Sequence, residues 1–193
     1  MSDAAPRRRR DPEARRREIV TAAAELIVEV GVDALTHRMI ATRAGVPLGA
    51  TTQYFATLDE LRAEALACLA AEVDARLDGI RQALTERGAS AAVIADLIVQ
   101  GLDDAHAVEA DRAVVTAAVH DPTVRTLARR WTERMVEVLS ETHAPERALA
   151  VTVFLDGILW HSQIHASPLS ADVIESALAD LLGEARASSS PRD

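Results

Sequence analysis

Residues 35–55 read LTHRMIATRAGVPLGATTQYF, and their spacing predicts two short helices joined by a tight turn. Thr36 has the side-chain oxygen that an N-cap needs, and Met39, Ile40 and Ala44 then fall three to four apart, giving the first helix one apolar face. Gly45 ends that helix, because glycine takes the left-handed conformation of a helix C-terminus at no steric cost. Val46 is placed to fold back as an apolar anchor, and Pro47 suits the first turn of a second helix, where its missing N–H would lack a partner anyway. Two helices this short make no core of their own. Their use is geometric: the first braces the second, the arrangement that sets a helix into the DNA major groove.

Upstream, Asp11-Pro12-Glu13 combines a capping carboxylate, a proline at the first helical position and an acid at the positive end of the dipole. The helix it opens carries Ile19, Ala22, Ala23, Leu26, Ile27 and Val30 on one stripe until Gly31, and it covers the two-helix unit. Downstream, Thr57-Leu58-Asp59-Glu60 matches a capping box. The long helix that follows has Leu66, Leu69, Val73, Leu77, Ile80 and Leu84 at helical spacing and stops at Arg87-Gly88.

Thr36, Arg38, Ile40 and Ala41, then Ala44-Gly45-Val46, Gly49 and Phe55, with Gly31 before them, resemble the helix-turn-helix signature of the TetR family of transcriptional regulators over residues 19–66. The resemblance places DNA contacts at Thr36, His37, Arg38, Pro47, Leu48, Ala50, Thr52, Gln53 and Tyr54. The run Thr52-Gln53-Tyr54 departs from the family's aromatic pair and histidine, and Leu58 stands where the family often has a lysine. By chemistry alone, Gln53 can pair with the N6 and N7 edge of adenine, Leu48, Ala50 or the Thr52 methyl can touch a thymine methyl, and Thr52 and Tyr54 can donate to phosphate. Thr36, His37 and Arg38 stand at a helix start, where an arginine and backbone amides can hold a phosphate.

The net charge of −9 hides an asymmetry. Residues 1–56 hold nine arginines against seven acids, or +2, and the rest holds twelve against 23, or −11. One end can approach phosphate while the remainder repels polyanions. No lysine is present, so every fixed side-chain cation is a guanidinium. Residues 1–10, with the run Arg7–Arg10, read as a disordered arm that is either solvated or lies on phosphates or in a minor groove. With 49% hydrophobic but only 3% aromatic residues, the composition favours an all-α protein. No apolar run has the roughly 18 residues of a membrane span, no signal peptide is expected, and the lone Cys68 forms no internal disulfide. The expected compartment is the cytoplasm.

Five further helices are predicted. They are marked by Val93 to Leu102, Asp111 to Val119, Val124 to Leu139, Pro145 to Ile164 and the segment after Ser170, which is read as a cap. The expected organisation is a disordered arm (1–10), a three-helix DNA-binding head (11–56), a helical effector-binding and dimerisation domain (57–186) and a disordered tail (187–193), about nine helices in all. His106, Trp131, Met135, Phe154 and Trp160 are candidates for an effector pocket, since a bundle of small residues with a few bulky ones can leave a cavity. In the family the last two helices form the dimer interface, which implicates Val153, Gly157, Trp160, Ile164, Leu178, Leu181 and Leu182. His161 and His165 share a helix face, but nothing on that helix completes a metal shell, and they are read as polar residues near its C-terminus.

No phosphate loop, nucleophile elbow or metalloprotease helix appears, so neither catalysis nor a cofactor is expected. The expected protein is a homodimeric, ligand-responsive repressor that binds a pseudo-palindromic double-stranded operator and an unidentified small molecule. Two other readings stay open at this point: a helical small-molecule-binding protein or enzyme with a vestigial head, and a constitutive DNA-binding protein without an effector.

Overall fold

The computed structural model describes residues 11–165 and 167–184, the side chains of His106, Ala107 and Ala110 excepted. The expected arginine arm and the polar tail at 187–193 lie outside the described residues. Among the described residues the chain is all-helical, with nine helices and no strand: α1 (Pro12–Val30), α2 (His37–Arg43), α3 (Leu48–Tyr54), α4 (Leu58–Arg87), α5 (Ala91–Asp103), α6 (Ala105–His120), α7 (Pro122–Ser140), α8 (Pro145–Ile164) and α9 (Ala171–Leu182). They gather into two compact units, Met1–Ala71 and Glu72–Asp193. The division falls inside α4, and Leu61 and Ala65, both fully buried, belong to the first unit.

The start of the first unit follows from local chemistry. Asp11 Oδ1 accepts a hydrogen bond from the Glu13 amide at 3.0 Å, Pro12 occupies the first turn, and Gly31 ends α1 at φ 83°. Ile19, Ala22, Ala23, Leu26 and Ile27 are buried as their spacing predicts, together with Leu35, Ile40, Ala41 and Phe55; Val30 is exposed instead. At the start of α4, Thr57 Oγ1 accepts from the Glu60 amide at 3.1 Å. Glu60 reaches back to the Ala56 amide at 2.8 Å, one residue earlier than a capping box requires. Arg62 donates to the carbonyls of Asp33 and Leu35 at 3.1 and 3.3 Å and ties down the loop before α2.

In the second unit α5 packs on α9, α6 on α7, and α8 on both α7 and α9. Its core is built from Leu77 and Leu84 of α4, Ile94, Met135, Val138, Leu139, Val151, Ile158, Ile174, Leu178 and Leu182. Asp121 caps α7 through the amides of Thr123 and Val124, and Ser90 caps α5 through Val93. Two expectations need correction. Helix α6 begins at Ala105, six residues before Asp111, because its alanine-rich first turns favour helix without supplying an apolar stripe. Ser170 stands at the N-cap of α9 but makes no side-chain cap bond. No helix among the described residues is long and apolar enough to cross a membrane.

Candidate nucleic-acid interface

The turn between α2 and α3 is set by backbone bonds. Gly45, at φ +64°, donates to the Thr42 carbonyl at 3.3 Å, and Val46 donates to Ala41 at 2.9 Å, which is the Schellman pattern. Val46 is buried, and Pro47 occupies the N-cap of α3, one place before its expected position. At the other end of α2, Thr36 Oγ1 accepts from the Met39 amide at 3.3 Å, so this candidate contact also caps its own helix. The buried side of α2 is Ile40 and Ala41, with Met39 half-buried.

Helix α3 is seated by Thr51 and Phe55, both fully buried. The Arg16 guanidinium lies over the Phe55 ring, 5.0 Å from its centre, and pairs with Glu64. With that side held inward, Pro47, Leu48, Thr52 and Gln53 are exposed, and Ala50 and Tyr54 are half-buried. The Thr52 hydroxyl donates to the Gly49 carbonyl at 3.2 Å, so its methyl group is its uncommitted end.

Charge is distributed unevenly among the six arginines of the first unit's described residues. Arg15 pairs with Glu18, Arg16 with Glu64, Arg43 with Glu25 and Glu29, and Arg62 with Asp59. Arg17 and Arg38 have no acidic partner among the described residues. Arg38 is exposed beside Thr36 and His37 and lines an open depression with Leu26, Met39, Thr42 and Arg43. Arg43 ties α2 to α1, at 2.6 Å from Glu29 and 3.1 Å from Glu25.

The hydrogen bond from Arg43 holds the Glu29 carboxyl below its ordinary value of 4.5 despite some desolvation. A carboxyl with a lowered folded pKa adds stability that is present above the unfolded value and is lost as pH falls through the folded one. Arg43→Met is therefore expected to lose less stability than the native chain on acidification below 4.5. Because both groups are well exposed, the change at neutral pH should stay under about 1 kcal/mol. Melting curves followed by circular dichroism at neutral and acid pH check both statements.

Residues 19–65 match the family model described as bacterial regulatory proteins, tetR family. Over 70 residues the chain is 40% identical to the HTH-type transcriptional regulator PksA of Bacillus subtilis, a match spanning 36% of this chain and only 34% of that relative's length. Among solved structures, the multidrug binding protein EbrR complexed with imidazole is 33% identical over 89% of this chain and 91% of that one, with a TM-score of 0.67. SCO1917, a TetR-family member from Streptomyces coelicolor A3, is 31% identical over 87% of this chain and 98% of its own, with a TM-score of 0.68. The chain belongs to the TetR family of transcriptional regulators.

The second unit of this TetR-family chain distributes its candidate residues differently from expectation. Met135 is part of the core and Phe154 is half-buried against it. Trp131 lies beneath Arg76, whose guanidinium is 5.2 Å from the ring centre and 2.8 Å from Asp111. The His106 side chain lies outside the described residues. Trp160 is exposed, which corrects its assignment to an internal pocket. Leu178 and Leu182 are consumed by the core of their own unit, so they have no surface to offer a second copy; Leu181 is half-buried.

Helix α8 is apolar on two sides. Ala148, Val151 and Ile158 face inward, whereas Leu149, Val153, Trp160 and Ile164 are 51–61% exposed. Gly157 is exposed on that outer stripe. His161 and His165 stack at 4.0 Å between ring centres, and among the described residues no group of three or more His, Cys, Asp or Glu is placed to hold a metal.

Proposed function

We propose that this transcriptional regulator is a homodimeric repressor that reads a pseudo-palindromic operator through the exposed edge of α3 and leaves it when a small molecule binds the second unit. The observation that carries the reading is the pairing of an outward edge, Leu48, Thr52 and Gln53, with the uncommitted guanidinium of Arg38 on the adjacent helix. Gln53 supplies the base contact and Arg38 a phosphate contact, with Thr36, His37, Pro47, Ala50 and Tyr54 around them. Dimerisation through the outer stripe of α8 would present two such edges to two half-sites, as twofold operators require.

The effector reading is supported by EbrR, which has been solved with malachite green, proflavin and ethidium. Trp131 and Phe154, both partly buried against the core of the second unit, are the aromatic side chains that a compound of that kind would stack on. Helix α4 contributes residues to both units, so a ligand that prefers one setting of its second half changes the population competent for DNA.

The test is a mobility shift on the DNA upstream of the chain's own gene. Gln53→Ala should weaken binding to that DNA by about 1–3 kcal/mol and relax preference at a single base pair. Arg38→Ala should weaken all sequences alike and reduce the salt dependence of log K by about one unit of slope. A native chain that binds this DNA no better than a scrambled duplex would remove the operator assignment.

A further inference from the structure

Thr51 is the fully buried polar residue of the first unit, and its hydroxyl carries a single proton. That hydroxyl lies 2.8 Å from the Leu48 carbonyl oxygen, which can only accept, so its proton is committed there. The same oxygen lies 3.1 Å from Nδ1 of His37 and can meet it only as an acceptor. The proton of that second bond must therefore sit on Nδ1, in the neutral and the charged ring alike, and Nε2 is the nitrogen left over. His37 is the first residue of α2 and Thr51 lies on the inner side of α3. Among the described residues, theirs is the only side-chain hydrogen bond joining the two helices.

The backbone turn at Gly45 and Val46 fixes where α3 starts, and the burial of Thr51 and Phe55 fixes which side faces inward, but neither sets its rotation to within the tolerance of a hydrogen bond. Pro47 offers no side-chain cap, and Gly49 gives the first turn no side chain to wedge against a neighbour. A rotation of about 20° moves a group at the helix surface by about 2 Å, since that surface lies about 5–6 Å from the axis. A shift of that size exceeds the tolerance of a hydrogen bond to a base edge.

We propose that His37 is a positioning residue for base reading: by donating from Nδ1 to Thr51 it locks the rotation of α3 and so aims Leu48, Thr52 and Gln53. The proposal rests on the reading of α3 as the base-reading helix. His37 acts through Thr51 and needs no contact with DNA to do so. Sequence discrimination therefore depends on the latch, while attraction to phosphate does not.

The experiment uses the full chain and two duplexes, one selected from a randomised library by the native protein and one scrambled. His37→Ala, His37→Gln and Thr51→Val should each lower the ratio of selected to scrambled affinity about tenfold, and for Thr51→Val, whose side chain is buried away from DNA, scrambled affinity should stay within about twofold, as expected when base contacts are lost and phosphate contacts kept. His37→Asn, whose amide N–H falls near the Nδ1 position, and Thr51→Ser, which keeps the hydroxyl, should restore the ratio. The double variant His37→Ala/Thr51→Val should be no worse than either single one, the signature of a shared interaction. Independently of DNA, nitrogen-15 spectra of the neutral ring should show the proton on Nδ1. A proton on Nε2, equal behaviour of the Asn and Gln variants, or a parallel loss on both duplexes for Thr51→Val would each overturn the latch. If the native chain selects no duplex at all, the latch and the operator reading fall together; if it selects one and the variants keep the full ratio, only the latch falls.

Discussion

Phe55→Ala is expected to melt the first unit and abolish operator binding. The ring is fully buried and lies under the Arg16 guanidinium, at the junction where α3 ends and the approach to α4 begins. Truncating a buried phenylalanine costs about 3–5 kcal/mol in lost burial and residual cavity. A unit of one 19-residue helix, two seven-residue helices and the start of a fourth has little stability in reserve against a loss of that size. Arg16 would also lose the ring while keeping Glu64, so the remaining ion pair cannot compensate. Thermal melting of the full chain should show a first transition shifted down or split from the second. The mobility shift on the upstream DNA should vanish at temperatures where the native chain still binds. Phe55→Leu, which keeps most of the volume, should lose much less. An unchanged melting curve for Phe55→Ala would mean that the head is held from elsewhere.

How far the sequence reveals this molecule depends on the distance over which each feature is determined. The caps at Asp11, Thr36 and Thr57 and the Schellman turn at Gly45 involve partners within five residues, so residue type and spacing were sufficient to place them. The cap at Ser170 is the exception: the residue type is right, but the helix start uses no side-chain bond. Which face of a helix turns inward is decided elsewhere in the chain. Helix α8 has apolar residues on both sides, so its periodicity could not tell Val151 and Ile158, which are buried, from Val153 and Trp160, which are exposed. In the same way Leu178 and Leu182 looked free for a partner until the packing of α9 on α5 and α8 used them. The latch between His37 and Thr51 spans 14 residues and depends on the turn geometry, and no spacing rule links a histidine to a threonine at that distance. The ion pairs of Arg43 with Glu25 and Glu29 are hidden for the same reason, although they decide which arginines remain available to phosphate.

On the proposed pairing of two copies through α8, Trp160→Glu is expected to leave the chain monomeric and to weaken operator binding by about a hundredfold or more, because two linked half-sites then become two independent ones. Leu149, Val153, Trp160 and Ile164 make an apolar stripe along one side of α8, with Gly157 at its middle allowing close approach. Trp160, one turn from that glycine, is its largest side chain, and aromatic anchors are among the residues that carry most of an interface's energy. A glutamate there would have to be desolvated without a partner. The change lies outside the core of the unit, so the melting transition of the monomer should be nearly unaffected. Asp156 gives a contrasting variant. It lies beside Gly157 with no hydrogen bond or ion pair among the described residues, and desolvation raises its carboxyl above the ordinary 3.8. An acid with a raised folded pKa costs stability once pH climbs above its unfolded value, and closer burial between two copies enlarges that cost. Asp156→Asn should therefore tighten the dimer at neutral pH, with the advantage fading as pH falls toward 3.8. Sedimentation of the native chain and both variants over a concentration series reads the three constants directly. Trp160→Glu must move the monomer–dimer balance toward monomer and Asp156→Asn toward dimer; a native chain that sediments as a monomer, or a Trp160→Glu variant that remains dimeric, would exclude this stripe as the contact between copies.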